Sequence, residues 1–278
     1  MTLTKLGEMR ALGEPIVMVT AYDHPTAKVA EAAGVDVVLV GDSGAMTVLG
    51  YPSTVAVELD ELLVLAKAVR RGLRTPLLVG DMPFGSYEVS DEQAIANAMR
   101  FVKEAGCEAI KLEGGGPASC ARVRAIVGAG IPVMGHVGLT PQTATALGGY
   151  RAQGRNAETA ARVARDALAL QAAGCFAMVF EAIPSDVAEL LMQRIEVPVI
   201  GIGAGPATDG QVLVFHDLLG IRDGLGARFV KRYANLQDEM VNGVGAFADD
   251  VRSRRYPAPE HGYAIDPEEL SSFRERLT

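Results

Sequence analysis

Side chains that can do chemistry recur at the ends of short apolar runs in this sequence. The runs VVLVGDS, LLVGD, AIKLE, PVMGH and AMVFE each stop at one or two polar residues. Those residues are Asp42 and Ser43, Asp81, Lys111 and Glu113, His136, and Glu181. Because the carboxyl ends of the strands meet at one face of a parallel barrel, the pattern predicts that these side chains line one cavity.

A simpler interpretation applies to Asp42 and Ser43, since Asp and Ser after a strand often cap the helix that follows. It does not fit Lys111 and Glu113, which lie two positions apart and therefore point to the same side of one strand. Charged groups at the mouth of an apolar barrel are costly to bury unless they pair with one another or hold an ion.

The carboxylates of Asp42, Asp81 and Glu113 form a set of oxygen ligands with no His or Cys at ligand spacing. Such a set favours Mg²⁺, which usually takes one or two carboxylates together with water and substrate oxygens. The alternative is that Lys111 simply neutralises the carboxylates. Lys111 is also suited to attract an anionic substrate, so the residues alone leave both interpretations open.

Glu181 lies within the apolar run MVFEAI. An apolar setting raises the pKa of a carboxylate and suits it to act as a base near neutral pH. The competing interpretation pairs Glu181 with Arg151 or Arg155 of the segment LGGYRAQGR, which is long enough to form a lid. His136 is expected either to line the substrate site or to bond a neighbouring carbonyl group.

Together these residues predict metal-assisted removal of a proton beside a carbonyl group. In this hypothesis Mg²⁺ chelates a 2-oxo acid through its carboxylate and keto oxygens and polarises the keto group. Lys111 and the region of Ser43 hold the carboxylate, and Glu181 abstracts the adjacent proton. The product is an enolate whose charge the metal stabilises.

Val-, Ile- and Leu-rich runs alternate with longer stretches of helical period. The predicted strands are 16–20, 36–41, 76–81, 108–113, 131–136, 176–181 and 197–202, with an eighth near 219–230. The predicted helices are 24–34, 57–72, 90–106, 117–129, 156–174 and 184–195, with another beginning near Asp209. Near-continuous apolar strands indicate a parallel sheet covered on both faces. At 278 residues this α/β pattern favours a closed (β/α)8 TIM barrel over a doubly wound sheet.

We expect a single barrel domain over residues 1–278, because no linker or break in composition divides the chain before residue 220. Residues 1–15 are expected to form an N-terminal cap at the bottom of the barrel. Residues 229–278 are expected to form a helical tail that packs outside the barrel or reaches a neighbouring subunit.

Composition narrows the possible partners. The net charge of −8 and the pI near 5.1 argue against a nucleic-acid partner, which needs a basic face. No apolar run reaches the roughly 18 residues of a membrane span, and the segment MTLTKLGEMR lacks the apolar stretch of a signal peptide. Cys107, Cys120 and Cys175 are widely spaced and fit reduced thiols. These features predict a cytoplasmic protein.

The segment GIGAGPATDG only partly resembles a dinucleotide-binding fingerprint. Pro206 interrupts it, and it follows the seventh predicted strand rather than opening a helix in an early βαβ unit. Phosphate-binding loops do occur after strands 7 and 8 of barrels. We favour a third interpretation, in which the glycines allow close approach of the backbone at the cavity wall.

Six segments follow one another from about residue 16 to 235, namely TAYDHPTAKVAEAAGVDVVLVGDS, GDMPF, KLEGG, PVMGHVGLTPQ, LGGYRAQGR and PVIGIGAGPATDGQVLVFHDLLG. Together they resemble the ketopantoate hydroxymethyltransferase family, also described as 3-methyl-2-oxobutanoate hydroxymethyltransferases. The resemblance implies a barrel of the phosphoenolpyruvate-mutase-like superfamily and the first committed step of pantothenate biosynthesis. In that step 5,10-methylenetetrahydrofolate donates one carbon to 3-methyl-2-oxobutanoate, giving 2-dehydropantoate.

The resemblance also implies a role for each residue already singled out. The Mg²⁺ ligands, direct or through water, are Asp42, Asp81 and Glu113. The resemblance implies contacts to the 2-oxo acid from Asp42, Ser43 and Lys111, and it implies that Glu181 is the proton acceptor. Asp81 and His136 are also expected to line the substrate site. The family implies a large homo-oligomer, often a decamer.

The chain departs from the family pattern beside the expected 2-oxo acid site. It has Gly44 and Ala45 within GDSGAM, where the family usually reads GDSLGM, and Pro52 where the family reads YDST. An alternative function is a Mg²⁺-dependent carbon–carbon lyase or mutase of the same superfamily, although such lyases usually carry a cysteine in a lid loop. A binding barrel without turnover is a third possibility.

Overall fold

Eight parallel strands close into a barrel in the computed structural model, which describes residues 1–222 and 226–277. The strands pair in chain order, and β8 pairs with β1 to complete the ring. Their bounds are β1 Ile16–Thr20, β2 Val37–Val40, β3 Leu77–Asp81, β4 Ala109–Lys111, β5 Val133–Gly138, β6 Ala177–Glu181, β7 Val199–Ile202 and β8 Gly210–Leu213. The predicted (β/α)8 barrel is confirmed.

Helices surround the strands and connect them. Their bounds are α1 Leu3–Leu12, α2 His24–Ala33, α3 Gly44–Thr47, α4 Leu59–Gly72, α5 Asp91–Ala105, α6 Pro117–Gly128, α7 Ala157–Ala172, α8 Ser185–Met192, α9 Phe215–Leu219, α10 Leu236–Arg252 and α11 Pro267–Leu277. Short 3₁₀ turns lie at Thr54–Ala56, Pro141–Thr143 and Pro259–His261. Several helices begin at a side-chain cap; the Asn156 carboxamide accepts from the Thr159 amide at 2.9 Å, for example.

The first seven predicted strands agree with the observed ones, with differences of at most two residues at each end. Apart from Val17 of β1, which is exposed, they are largely buried on both faces because the inner face fills the barrel and the outer face packs against the helices. The predicted strand 108–113 ends earlier, at Lys111, so Glu113 lies in the loop just beyond β4.

The predictions for the eighth strand and the last barrel helix are wrong. The eighth strand is Gly210–Leu213, not a segment within 219–230, of which residues 223–225 lie outside the described residues. No helix begins at Asp209, and the fully described segment between β7 and β8 contains none. The strand is only four residues long and directly follows a glycine-rich turn. The prediction assumed a helix after every strand, and it therefore placed a helix where β8 lies.

Asp209 instead ties three elements together just before β8. Its carboxylate accepts a hydrogen bond from the Val199 amide of β7 at 2.8 Å and pairs with Arg10 of α1. Its backbone carbonyl accepts from the Ile16 amide of β1 at 2.9 Å. The residue predicted to open a helix therefore holds the point where the barrel closes.

Alternate residues of each strand point into the barrel. The buried inner cluster includes Ile16, Met18, Val37, Leu39, Leu77, Val79, Ala109, Met134, Ala177, Val179, Ile200 and Val212. Leu6 and Met9 of α1 belong to the same cluster, so this helix covers the end of the barrel where the strands begin. The opposite end, where the strands finish, remains accessible to a ligand.

The C-terminal helices contribute little to the barrel core. Neither α10 nor α11 buries a residue. No helix within residues 1–222 and 226–277 combines the length and the apolar character that crossing a membrane would require.

The closure of the barrel through β8 predicts a large effect of replacing Gly210 with Ala. The added Cβ would lie 2.3 Å from the Ile16 carbonyl oxygen and 2.9 Å from Cδ1 of Ile200. Because overpacking a tight site costs roughly 1–3 kcal/mol, we expect urea denaturation to show a loss of about 2 kcal/mol or more in the free energy of unfolding.

The matched control is Gly7→Ala in α1, whose added Cβ would meet no atom within 4 Å. Ala favours a helix over Gly, so this variant should be as stable as the unmodified protein or more stable by about 0.5–1 kcal/mol. Equal stability of the two variants would contradict the placement of β8 against β1.

Candidate active site

A cavity of about 570 Å³ opens at the end of the barrel where the strands finish. All seven side chains singled out in the sequence line it, namely Asp42, Ser43, Asp81, Lys111, Glu113, His136 and Glu181. A larger cavity of about 850 Å³ lies beside the β7–β8 connection and contains none of the seven. The smaller cavity is therefore the better candidate, because it combines enclosure with a cluster of ionisable groups.

The strands bring these groups together because polar residues end the same rows that fill the barrel. In β3, Asp81 follows Leu77 and Val79 of the inner cluster. In β6, Glu181 follows Ala177 and Val179 in the same way. Lys111, His136 and Glu181 thus stand one layer above the apolar filling of the barrel.

Lys111 lies at the centre of the cluster and is 3% exposed. Its Nζ donates to Oδ1 of Asp81 at 2.7 Å and lies 3.8 Å from Oε1 of Glu113. Burial alone would lower the pKa of Lys111, but the charges of Asp81, Glu113 and Asp42 outweigh it and raise the pKa. The ammonium group therefore stays charged at neutral pH and balances part of the carboxylate charge.

One lysine does not balance all of that charge. Burial, followed by repulsion from Asp81, raises the pKa of Asp42 to about 7. Burial likewise raises the pKa of Glu113 well above its ordinary value, and Asp42 and Asp81 add to the effect. The backbone amide of Asp42 donates to Oδ2 of Asp81 at 3.2 Å. Two of the carboxylate residues are therefore in direct contact.

His136 lies between two glutamates and is 2% exposed. Its Nδ1 is 3.6 Å from Oε1 of Glu113, and its Nε2 is 3.5 Å from Oε2 of Glu181. Neither ring nitrogen has a hydrogen-bond partner among the described residues. Burial and the charge of Lys111 hold the pKa of His136 well below its ordinary value, so the ring is neutral.

Glu181 reaches the cavity with its side chain 16% exposed, the most accessible carboxylate of the cluster. Burial raises its pKa to about 8. Within the described chain it forms no ion pair with Arg151 or Arg155, so its contact with His136 replaces the expected pairing with an arginine. The next residue, Ala182, has a φ of 47°, a left-handed backbone that is unfavourable for a residue with a side chain.

Ser43 directly precedes the short helix α3 and lines the same cavity. Its hydroxyl lies 2.8 Å from the hydroxyl of Tyr22, which is fully buried. A Cβ on Gly44 would lie 2.8 Å from the ring of Tyr22. The tyrosine therefore fills the space beside Gly44, where the sequence departs from the GDSLGM pattern.

The sequence interpretation missed Gln142 and Tyr87, which are buried under the carboxylates. The side chain of Gln142 donates to Oδ2 of Asp42 at 3.0 Å, and its backbone amide donates to Oε2 of Glu113 at 3.0 Å. Tyr87 donates to the Gln142 carbonyl oxygen at 2.6 Å. The segment PVMGHVGLTPQ contained the only signal, a glutamine directly after a turn-forming proline in the segment that follows a predicted strand.

The charge of the cluster fits a divalent cation, although its geometry is not a complete set of protein ligands. No group of three His, Cys, Asp or Glu side chains in residues 1–222 and 226–277 is arranged to hold a metal by itself. Mg²⁺ does not need one, because it binds through one or two carboxylates and completes its shell with water and substrate oxygens. Four carboxylates beside one lysine are the kind of donor set that such an ion satisfies.

The other sequence features around the cavity are structural. Cys107, Cys120 and Cys175 are all buried free thiols, so none occupies a lid loop. In GIGAGPATDG, a Cβ on Gly203 would lie 2.5 Å from the ring of Phe229, and one on Gly205 would lie 2.5 Å from Oγ of Ser185. These glycines allow the close backbone approach that the third interpretation predicted. They line the larger cavity beside β7 and β8 and not the candidate active site, so the predicted place of that approach is wrong.

Comparison with known proteins identifies the family of the chain. The family model for ketopantoate hydroxymethyltransferase matches residues 1–259. A 3-methyl-2-oxobutanoate hydroxymethyltransferase from Moorella thermoacetica is 52% identical over 262 residues, which cover 94% of this chain and 97% of the relative.

Two solved structures are similar in fold at low sequence identity. A phosphonopyruvate hydrolase in complex with oxalate and Mg²⁺ has a TM-score of 0.61 at 15% identity, covering 100% of this chain and 97% of that one. A 2,3-dimethylmalate lyase of the PEP mutase/isocitrate lyase superfamily has a TM-score of 0.59 at 16% identity, covering 96% and 93%. These two likenesses show the fold, and the family model and the relative show that the chain belongs to the ketopantoate hydroxymethyltransferase family.

Proposed function

We propose that this protein transfers a hydroxymethyl group to 3-methyl-2-oxobutanoate, giving 2-dehydropantoate in pantothenate biosynthesis, with 5,10-methylenetetrahydrofolate as the one-carbon donor and a bound Mg²⁺. The observation that carries the proposal is the single cavity in which Lys111 and a partly exposed base, Glu181, face one another among buried carboxylates. The family membership favours this reaction over the lyase or mutase alternative. The burial of all three cysteines also favours this reaction, because the lyase alternative usually has a cysteine in a lid loop.

The proposed metal site uses the carboxylates nearest to Lys111. Asp42 and Asp81 are suited to bind the cation directly, since the amide of one already contacts the carboxylate of the other. Glu113 is suited to hold it through water. Bound Mg²⁺ would supply a Lewis acid that polarises the 2-oxo group and lowers the energy of the enolate.

The proposed substrate contacts orient the 2-oxo acid for proton removal. The positive charge of Lys111 attracts the substrate carboxylate, and Asp42, Ser43 and Asp81 line the same part of the cavity. The neutral ring of His136 has a free ring N–H to direct at an oxygen of the ligand or of Glu181. This wall therefore provides charge and hydrogen bonds, whereas the barrel interior beneath it is apolar.

Glu181 is the proposed base. A carboxylate whose pKa is about 8 is a stronger proton acceptor than an exposed glutamate, and the residue is accessible from the cavity. It takes the proton from C3 of 3-methyl-2-oxobutanoate and leaves an enolate. C3 then forms a bond to the one-carbon unit of the folate, and water supplies the hydroxyl oxygen, so that 2-dehydropantoate and tetrahydrofolate are the products.

Deuterium exchange tests the base without the folate. In D₂O with Mg²⁺ and no folate, NMR should show loss of the C3 proton of 3-methyl-2-oxobutanoate. Glu181→Gln should slow the exchange by about 10²–10⁴-fold, the usual contribution of a general base, and EDTA should abolish it. Addition of 5,10-methylenetetrahydrofolate should then yield 2-dehydropantoate with the unmodified protein.

The control is Glu189→Gln on the exposed side of α8, which should exchange at the unmodified rate. Persistence of the C3 proton with folded, Mg²⁺-loaded protein would reject both the substrate and the base. Exchange without product formation would reject only the folate donor.

The raised pKa values predict how stability depends on pH and Mg²⁺. The folded-state pKa values of Asp42 and Glu181, about 7 and about 8, lie above the unfolded values of about 4, and that of Glu113 is raised as well. The stability that Asp42 and Glu181 contribute is therefore present at low pH and lost as pH rises through about 7 to 8. In EDTA the melting temperature should therefore fall as the pH is raised from 5 to 8.5. Each kcal/mol lost from the free energy of unfolding should lower it by on the order of 2–4 °C. Mg²⁺ should reverse the fall because it binds the folded state.

Asp42→Asn provides the comparison, because it removes one carboxylate from the cluster and should reduce both the pH dependence and the effect of Mg²⁺. A melting temperature that is constant over this range in EDTA and insensitive to Mg²⁺ would show that the carboxylate charge is balanced without a cation.

We further propose that the protein works as a homo-oligomer. The support is α10, a 17-residue helix with no buried residue. It exposes an apolar stripe formed by Met240, Val241, Val244, Phe247 and Val251. Light scattering after size exclusion should give a mass several times the 29.2 kDa of the chain, and Val244→Glu together with Phe247→Glu should lower it. A monomer at micromolar concentration would contradict the proposal.

A further inference from the structure

Gln142 joins two carboxylates of the cluster from below and is 4% exposed. It lies in the 3₁₀ turn Pro141–Thr143, which follows β5. Its Nε2 donates to Oδ2 of Asp42 at 3.0 Å and to the carbonyl oxygen of Met82 at 2.9 Å. Its backbone amide donates to Oε2 of Glu113 at 3.0 Å. One residue thus contacts the carboxylates that follow β2 and β4.

Tyr87 fixes which end of the amide faces Asp42. The tyrosine hydroxyl donates to Oε1 of Gln142 at 2.6 Å, so the amide nitrogen must face the other way. Both hydrogens of that nitrogen then have acceptors, on Asp42 and on Met82. The same hydroxyl accepts from the Glu113 amide at 3.3 Å, which connects the network back to the second carboxylate.

We propose that Gln142, oriented by Tyr87, is a positioning residue that holds the carboxylates of Asp42 and Glu113 in the orientation in which they bind the divalent cation. The inference deepens the proposed function, since it rests on a cation binding at this cluster. Gln142 acts through its carboxylate partners and has no contact with the substrate in this scheme.

A neutral donor is suited to this task because it orients a carboxylate without cancelling its charge. Lys111 pairs with Asp81 at 2.7 Å and so reduces the negative charge there. A second lysine or an arginine beside Asp42 would compete with the cation for the same oxygens. The hydrogen bonds from the side-chain and backbone amides of Gln142 orient Asp42 and Glu113 without adding a positive charge that would compete with the ion.

A merely structural role would be to tie together the loops that follow β3 and β5. The bond to the Met82 carbonyl does this, but it does not require the contacts with Asp42 and Glu113. The two roles differ in what they affect, because loop anchoring changes stability whereas carboxylate orientation changes cation affinity. The test therefore measures both quantities.

The experiment compares Gln142→Met and Tyr87→Phe with the unmodified full-length protein. Mn²⁺ serves as the probe, and the electron paramagnetic resonance signal of the free ion gives the dissociation constant without any turnover. Loss of a group that orients a metal ligand usually weakens binding by roughly 10- to 100-fold, which we expect for Gln142→Met. Tyr87→Phe frees the amide to turn and should weaken binding by about threefold or more, as the loss of one buried hydrogen bond does.

The matched control is Gln93→Met. The Gln93 side chain also makes two hydrogen bonds to the backbone of the loop after β3, to the Gly85 carbonyl oxygen at 2.9 Å and from the Val89 amide at 3.1 Å, but it contacts no carboxylate of the cluster. It should lower the melting temperature without changing the affinity for Mn²⁺.

Mn²⁺ affinity within twofold of the unmodified protein in a folded Gln142→Met variant would overturn the proposal. If that variant does not fold, the same result for Tyr87→Phe overturns it. The failure of this proposal and the failure of the proposed reaction are distinguishable. Weaker Mn²⁺ binding by the variants would support the positioning role even if the unmodified protein did not exchange the C3 proton of 3-methyl-2-oxobutanoate, a result that would reject the proposed reaction.

Discussion

The structure of the active site depends on an excess of negative charge inside the mouth of an apolar barrel. Among the described residues, Asp42, Asp81, Glu113 and Glu181 share the cavity with the ammonium group of Lys111, while His136 stays neutral. Arg222 lines the same cavity but is paired with Asp217 at 2.7 Å. Buried carboxylates resist ionisation, and their raised pKa values express that resistance. A divalent cation would balance the carboxylate charge, and an anionic substrate would then complete the site. The excess charge is therefore also the reason for the cluster to bind a cation.

The barrel meets this requirement by ending its inner rows in ionisable groups. Apolar residues such as Val79 and Val179 fill the lower layers, and Asp81 and Glu181 stand above them. The strands are rigid because they are paired on both sides around a closed ring. The chemistry-bearing groups are thereby fixed without lengthy loops, and neutral donors such as Gln142 orient the carboxylates without removing their charge.

Much of this arrangement could be predicted from the sequence, because near-continuous apolar runs mark the buried parallel strands and the polar residues that stop them mark the strand ends. The placement of Lys111 beside a carboxylate follows from local spacing. The position of β8 could not be predicted, since a strand of four residues after a glycine-rich turn has no periodicity to detect. Gln142 was missed because its importance lies in partners 100 and 29 residues away, Asp42 and Glu113, which only the folded chain brings together.

The most direct test of the central claim is to locate the cation. A crystal of the protein grown with Mn²⁺, measured at a wavelength where manganese scatters anomalously, shows the ion independently of any assumed role. The account predicts one strong anomalous peak within coordination distance of the carboxylates of Asp42 and Asp81, with Glu113 in reach through a water molecule. The account would be contradicted by Mn²⁺ at full occupancy in another place. It would also be contradicted by the absence of a peak in a crystal where Lys111 remains paired with Asp81, if the same protein still exchanges the C3 proton.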